Sequence, residues 1–217
     1  MRVFDPARDG FGFHNPVGEV AVGSTRGPLL RRLGAILYGN GLCFGMVAMS
    51  LRSFLERSAV PLAGLPPSPQ VLGEIRRYHV RQYMPQPVVA AVIEWLRAEG
   101  GRPGGVPGRL RIVGSGSNPH LLCFGPTLNR KFFWCLRRAH AVAPYRVQNV
   151  AGETRVYVYD PNHPGDRERY VVFRRDESGR VGEFGYEGFE TSSGWGISLF
   201  PLSAIGDTVQ FRQRALP

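Results

Sequence analysis

The sequence predicts an α+β fold in a single domain, with a helical half at about residues 29–100 and a β half at about 109–217. Three observations predict it. Apolar residues recur at helical spacing up to about residue 100 and alternate in short runs after it. The segment Gly100 to Gly108, with five glycines and two prolines, separates the two patterns. The chain of 217 residues is long enough to bury one sizeable core and short for two domains. Helices followed by strands of this kind read as helices packed on an antiparallel sheet.

The elements follow in order. Residues 1–28, rich in Gly, Pro and Asn, read as an extended arm over the surface. From Leu42 to about Arg57, Met46, Val47, Ser50, Leu51, Phe54 and Leu55 make a helical stripe. Pro61 and Pro66-Pro67-Ser68-Pro69 end that helix and restart the chain, with Ser68 as N-cap and Pro69 at the first helical position. The next helix runs from about Pro69 to Tyr83, where Pro85 stops it, and a third from about Pro87 to Glu99 carries Val88, Val89, Val92, Ile93 and Leu96. Leu121–Phe124, Lys131–Leu136, His140–Val147, Thr154–Asp160, Tyr170–Arg174, Val181–Tyr186 and Trp195–Phe200 read as strands. A turn at Asn149-Val150-Ala151-Gly152 makes a hairpin of the third and fourth.

Composition bounds the function. Hydrophobic residues are 43% and charged residues 20%, a globular balance, and no apolar run is long enough for a membrane span. The N-terminus has no apolar core followed by a cleavage site, and three cysteines make no disulfide framework; both predict a reduced, cytoplasmic protein. The net charge is +10, and Lys131 is the one lysine among 27 basic residues. Such charge is compatible with a nucleic-acid partner. The arginines are nevertheless dispersed, in nothing longer than pairs such as Arg31-Arg32 and Arg137-Arg138, with no accompanying nucleic-acid motif. Charge therefore assigns no partner, and no feature sets an oligomeric state.

Cys43 carries the chemistry. It stands where the loop Gly39-Asn40-Gly41-Leu42 meets a helix start. There the macrodipole and unpaired N–H groups favour the reactive thiolate. Cys123 and Cys135 lie in apolar runs and read as packing residues. A nucleophile needs a base, and the base needs a group that orients it. His140 opens a strand whose hairpin partner ends at Asp160, so the turn at 149–152 sets His140 opposite residues 160–163. Asp160 and Asn162 share a strand face there and both come within reach of the imidazole.

Gly-Leu-Cys-Phe-Gly-Met (41–46), His-Ala-Val-Ala-Pro-Tyr (140–145) and Tyr-Asp-Pro-Asn-His-Pro-Gly-Asp (159–166) resemble the papain-like cysteine peptidase superfamily. Within it they are similar to bacterial members with Cys-Gly-Gly-Met, His-x-Val and Tyr-Asp-Pro-Asn motifs. The resemblance spans roughly residues 38 to 166, and the Phe4-Asp5-Pro6 to Gly10-Phe11 arm is also similar. It implies a thiol hydrolase whose catalytic helix packs on a twisted antiparallel sheet, acting on a peptide or amide without a cofactor. Cys43 would be the nucleophile and His140 the base. Asp160 would be the orienter, since a carboxylate also stabilises the imidazolium, with Asn162 as the amide alternative. Two positions depart from the pattern. Leu37 stands where papain-like enzymes place the oxyanion-hole Gln, leaving Asn40 as the nearest side-chain amide beside the Cys43 N–H. Phe44 replaces a small Gly.

Other readings use the same residues. His120, Cys123, Cys135 and His140 are zinc-type ligands, but the cysteines sit in apolar runs rather than turns. In the Asp160–Asp166 loop Pro164 takes a calcium-ligand position, and Gly114-Ser115-Gly116-Ser117 lacks phosphate-loop spacing. Transglutaminase-like acyl transferases share the Cys, His, Asp order with a shorter Cys-to-His spacing than positions 43 to 140. A non-catalytic papain-like module with a basic surface is the reading that Leu37 and Phe44 suggest.

Overall fold

The computed structural model describes residues 2–23, 27–38, 40–97, 102–114, 118–126 and 139–206. Among the described residues the expected plain arm holds two helices, α1 (Pro6–Asp9) and α2 (Gly18–Val22), and α3 (Pro28–Tyr38) begins where the arm ends. Asp5 caps α1, accepting from the Ala7 N–H at 3.1 Å, and Pro6 opens it. Asp9 is buried at its end, where it accepts from the Asp5 N–H at 2.9 Å and from the Arg2 and Arg8 guanidiniums. Proline and capping carboxylate thus make a helix where composition suggested only coil.

Helix α4 (Cys43–Leu55) is buried on nearly every side, from Cys43 through Leu51 and at Phe54. Helix α5 (Pro69–Val80) starts as expected, with the Ser68 hydroxyl accepting from the Val71 N–H at 3.3 Å. A 3₁₀ turn, Arg81–Tyr83, leads to α6 (Pro85–Arg97), and a short α7 (Val106–Arg109) forms at the end of the glycine-rich segment expected to be loop. The α6 stripe of Val88, Val89, Val92, Ile93 and Leu96 forms the helix but stays exposed, at 42–61%. Among the described residues no single helix is long and apolar enough to cross a membrane; only the bent pair Arg32–Tyr38 with Cys43–Leu55 passes, by length and composition alone.

Among the described residues seven strands form one antiparallel sheet: β1 (His120–Pro126), β2 (His140–Val150), β3 (Glu153–Tyr159), β4 (Tyr170–Arg175), β5 (Val181–Tyr186), β6 (Phe189–Glu190) and β7 (Trp195–Pro201). Their order is β6-β5-β4-β3-β2-β1-β7. The expected strand at 131–136 lies outside the described residues. The two end strands approach each other, with the Phe189 and Trp195 rings 4.8 Å apart, so the sheet curls into a near-closed barrel. The architecture is therefore α+β, with N-terminal helices and a C-terminal antiparallel sheet that is more closed than an open twisted one.

Strand alternation divides the core in two. Leu122, Phe124, Val142, Val156, Val158, Val171 and Phe173 fill the barrel. Leu121, Ala141, Ala143 and Tyr159 face the opposite way, onto α4, with Met46, Val47 and Leu51. Small alanines on β2 let α4 lie close to the sheet. His140 shares parity with Val142, and Asp160 with Val156 and Val158.

Candidate active site

Cys43 opens α4. Its N-cap, Leu42, provides no side-chain hydrogen bond, so no cap consumes the first-turn N–H groups. Gly41 (φ 115°) makes the turn into the helix in the left-handed region that glycine tolerates. Asn15, from the arm, braces this turn. Its Oδ1 accepts from the Leu42 N–H at 2.6 Å, and its amide packs where a Gly41 Cβ would sit.

His140 stands at the start of β2, buried, where β2 pairs through Phe124↔His140 with β1. Its Nε2 lies 2.8 Å from Asp160 Oδ1, and its ring meets the Cys43 thiol. With Nε2 committed to Asp160, Nδ1 is the ring nitrogen left for sulfur. Burial opposes a charge on the imidazole, but the Asp160 hydrogen bond and the contact with Cys43 outweigh it and push His140 up to about 10. Rings hold it in plane: Phe124 stacks at 6.4 Å and 14°, Phe189 at 5.9 Å and 12°.

Asp160 is 1% exposed just beyond β3. Oδ1 also accepts from the Asn162 N–H at 2.7 Å, and Oδ2 from the Tyr186 hydroxyl. Burial alone would raise this carboxyl; the hydrogen bond and charge of His140, with those two donors, hold it below the ordinary value. The side chain hydrogen-bonded to the His140 ring is thus that of Asp160. The Asn162 side chain points elsewhere, its Oδ1 accepting from Asn15 Nδ2 at 3.1 Å. Asn40 is exposed in the turn; the amide against the backbone before Cys43 belongs to Asn15.

Around the thiol, Tyr83 is pushed up by burial and then by the charge of Cys43. His79 sits beneath the helix start, between the rings of Tyr38 (6.0 Å), Phe44 (6.5 Å) and Tyr83 (6.3 Å). Burial drives its imidazole down to about 4 against the carbonyls of Leu37 and Leu42. Cys43 and Cys123 are free thiols. Cys123 faces the α4 side, and burial, followed by the charge of Cys43, raises its thiol strongly.

The zinc reading fails on geometry. His120 and Cys123, three apart on β1, point to opposite sheet faces, and His120 Nδ1 accepts from the Arg111 N–H at 3.1 Å. Cys135 lies outside the described residues. Asp160, His163 and Glu187 bring ligand atoms within 4.8 Å of one another. A cation is already there: Arg169 pairs with Glu187, meets His163 Nδ1 at 3.1 Å and donates to Asp166 at 2.9 Å, while His163 and Glu187 pair at 2.8 Å.

Tyr186, Asn15, Phe124 and Phe189 are site residues that the sequence reading missed. Alternation in Val181–Tyr186 orients Tyr186 toward the barrel interior, but no linear signal says which carboxylate its hydroxyl meets. Comparison with protein-family models, with curated proteins and with solved structures finds no match for the chain.

Proposed function

We propose that the chain is a papain-like thiol hydrolase that cleaves an amide or peptide-like bond through a thioester on Cys43. The observation that supports this reading is a single imidazole held between a thiol at a helix N-terminus and a buried carboxylate. An imidazolium beside the sulfur favours thiolate. That sulfur attacks the substrate carbonyl, and the displaced electron pair moves onto oxygen, where the Cys43 N–H and the uncapped first turn of α4 can donate. Collapse of the adduct expels the amine, which takes its proton from His140. Water then attacks the thioester and gives a proton to neutral His140; the acid departs and the thiolate–imidazolium pair returns. Asp160 keeps the ring in one tautomer and stabilises its charged form.

Thiol labelling tests this. Iodoacetamide at pH 5–6, followed by peptide mass analysis, is expected to modify Cys43 at least tenfold faster than Cys123 or Cys135, with the advantage lost in His140→Ala. Equal, slow labelling of all three would overturn the reading.

One observation favours a second reading. Cys43 is only 7% exposed, with Phe44 beside it. A papain-like scaffold that binds without cleaving would show the same His140–Asp160 pair with Cys43 inert to alkylation, so the labelling experiment separates the two.

A further inference from the structure

Asp160 is served unequally at its two oxygens. Oδ1 is held twice, by His140 Nε2 at 2.8 Å and by the Asn162 N–H at 2.7 Å. Oδ2 is held by the Tyr186 hydroxyl. The Asn162 contact spans two residues and belongs to the local turn. The Tyr186 contact spans 26 residues and arrives from β5. Asp160 is 1% exposed, so an Oδ2 without this donor would be a buried, charged, unsatisfied acceptor.

The hydroxyl is fixed from several directions. Tyr186 is 5% exposed and lies parallel on Phe124, at 5.2 Å and 6°. Phe124 also stacks on His140, so one ring carries both the acid's partner and the base. The chain beyond Tyr186 turns at Glu187 (φ 40°) and Gly188 (φ 83°). A non-glycine in the left-handed region is disfavoured unless its surroundings hold it. Glu187 is held by His163 at 2.8 Å and by Arg169, both from the loop that follows Asp160. Phe189, across this hairpin, stacks on His140. Two residues of one hairpin thus grip the two members of the pair.

We propose that Tyr186 is a positioning residue: its hydroxyl fixes the rotation of the Asp160 carboxylate, so that Oδ1 stays aimed at His140. This rests on the reading of Cys43, His140 and Asp160 as a thiol site. Tyr186 touches no reacting atom and acts through Asp160 alone.

The test is the pH dependence of iodoacetamide alkylation at Cys43, read by peptide mass analysis on the full chain from pH 5 to 10. It compares the wild type, Tyr186→Phe, Asp160→Asn and the double variant. The charged groups facing this cluster, His140, His163, Asp166, Arg169 and Glu187, are kept in all four. Tyr186→Phe retains the ring on Phe124. Its alkylation plateau is expected to fall about tenfold, the worth of a hydrogen bond to a charged group. The acid limb should move to higher pH, because a carboxylate that loses a donor takes up its proton sooner and then no longer supports the imidazolium. In the Asp160→Asn background the same change should cost nothing further. A ring-fluorinated tyrosine at position 186, a stronger donor of the same shape, should move the acid limb to lower pH, and it supplies the answer where Tyr186→Phe does not fold. An unmoved profile, or an equal loss with and without Asp160, would overturn the assignment. Wild-type Cys43 labelling no faster than Cys123 would instead overturn the thiol-site reading beneath it.

Discussion

His140 Nε2 and Asp160 Oδ1 lie 2.8 Å apart in the barrel rim, joined across 20 residues of chain, and both side chains are buried. The contact is a product of β2–β3 pairing: Ala143 sits opposite Tyr159, and the strand ends beyond that pair bring the two side chains together. Removing the proposed base should be severe. His140→Ala is expected to lower turnover of any cleaved amide by roughly 10²–10⁴-fold, the usual contribution of general acid–base catalysis. Asp160→Asn keeps the shape and removes the charge, so it should retain more activity than His140→Ala while losing the imidazolium at lower pH. Steady-state rates of the three proteins against pH check the order.

His140 and His79 carry opposite pH signatures in stability. His140 is raised from 6.5 to about 10, with burial opposing and Asp160 and Cys43 prevailing. Between those values the folded state keeps a proton that the unfolded chain has released. Its contribution is therefore complete below about pH 6.5 and lost as pH rises through about 10. His79 is lowered from 6.5 to about 4 by burial. There the unfolded chain binds the proton that the folded state refuses, so stability falls as pH drops through that window. Asp160, held below 3.8, adds a further loss at still lower pH. Urea unfolding should show greatest stability near pH 6.5, with limbs on the order of 1–3 kcal/mol each. His79→Leu should flatten the acid limb and leave the alkaline one; His140→Leu should do the reverse.

Much of this arrangement is legible in the sequence because it is local or periodic. Pro69 behind Ser68, the apolar stripe of α4 and the alternation through β2 and β3 each follow from a short window. The placement of His140 opposite residues 160–163, with Asp160 and Asn162 both in reach, follows from one turn and the strand period. What is not legible depends on contacts between distant segments. Asn15 reads as loop composition until the arm folds back to the Gly41 turn. Tyr186 reads as one more inward aromatic. The α6 stripe predicts the helix correctly, yet its Val88, Val92 and Leu96 are exposed, since periodicity reports a face and not what covers it. The α1 helix was hidden by its brevity: Asp5 and Pro6 mark a start, but the four residues after Asp5 carry no period.

Gly45 sets how closely α4 and α5 cross. A Cβ there would lie 2.2 Å from the Ile75 carbonyl oxygen and 2.9 Å from the His79 backbone nitrogen. Both are backbone atoms of α5, so the helices would have to separate rather than a side chain swing aside. Gly45→Ala, which helix propensity alone would favour, is expected to destabilise by about 1–3 kcal/mol. For a chain of this size, each kcal/mol lowers Tm by roughly 2–4 °C. Gly73, on α5 with nothing within contact range of its added Cβ, provides the control. Gly73→Ala should hold or raise Tm in the same calorimetric scan.

Asn15 joins the two turns that carry Cys43 and Asp160. Its Oδ1 accepts from the Leu42 N–H at 2.6 Å, its backbone N–H donates to the Pro161 carbonyl at 2.8 Å, and its Nδ2 donates to Asn162 Oδ1 at 3.1 Å. One short side chain therefore spaces the Cys43 turn from the Asp160 turn, while the neighbouring His14 ring meets the Asn162 carbonyl at 3.0 Å. Asn15→Ala removes the side-chain bonds and keeps the backbone one. The Leu42 N–H then loses its acceptor, a loss of about 1–3 kcal/mol for a buried donor. Cys43 alkylation should slow with it, because the helix start is no longer held at its distance from His140. Asn15→Asp tests the geometry further: it keeps the acceptor for Leu42 and loses the donor for Asn162, so it should recover stability more than labelling rate. Asn40→Ala, one turn residue away and exposed, should change neither. If Asn40→Ala slowed labelling as much as Asn15→Ala, the side-chain amide that matters to the thiol would be Asn40, and the loops would be held by backbone contacts alone.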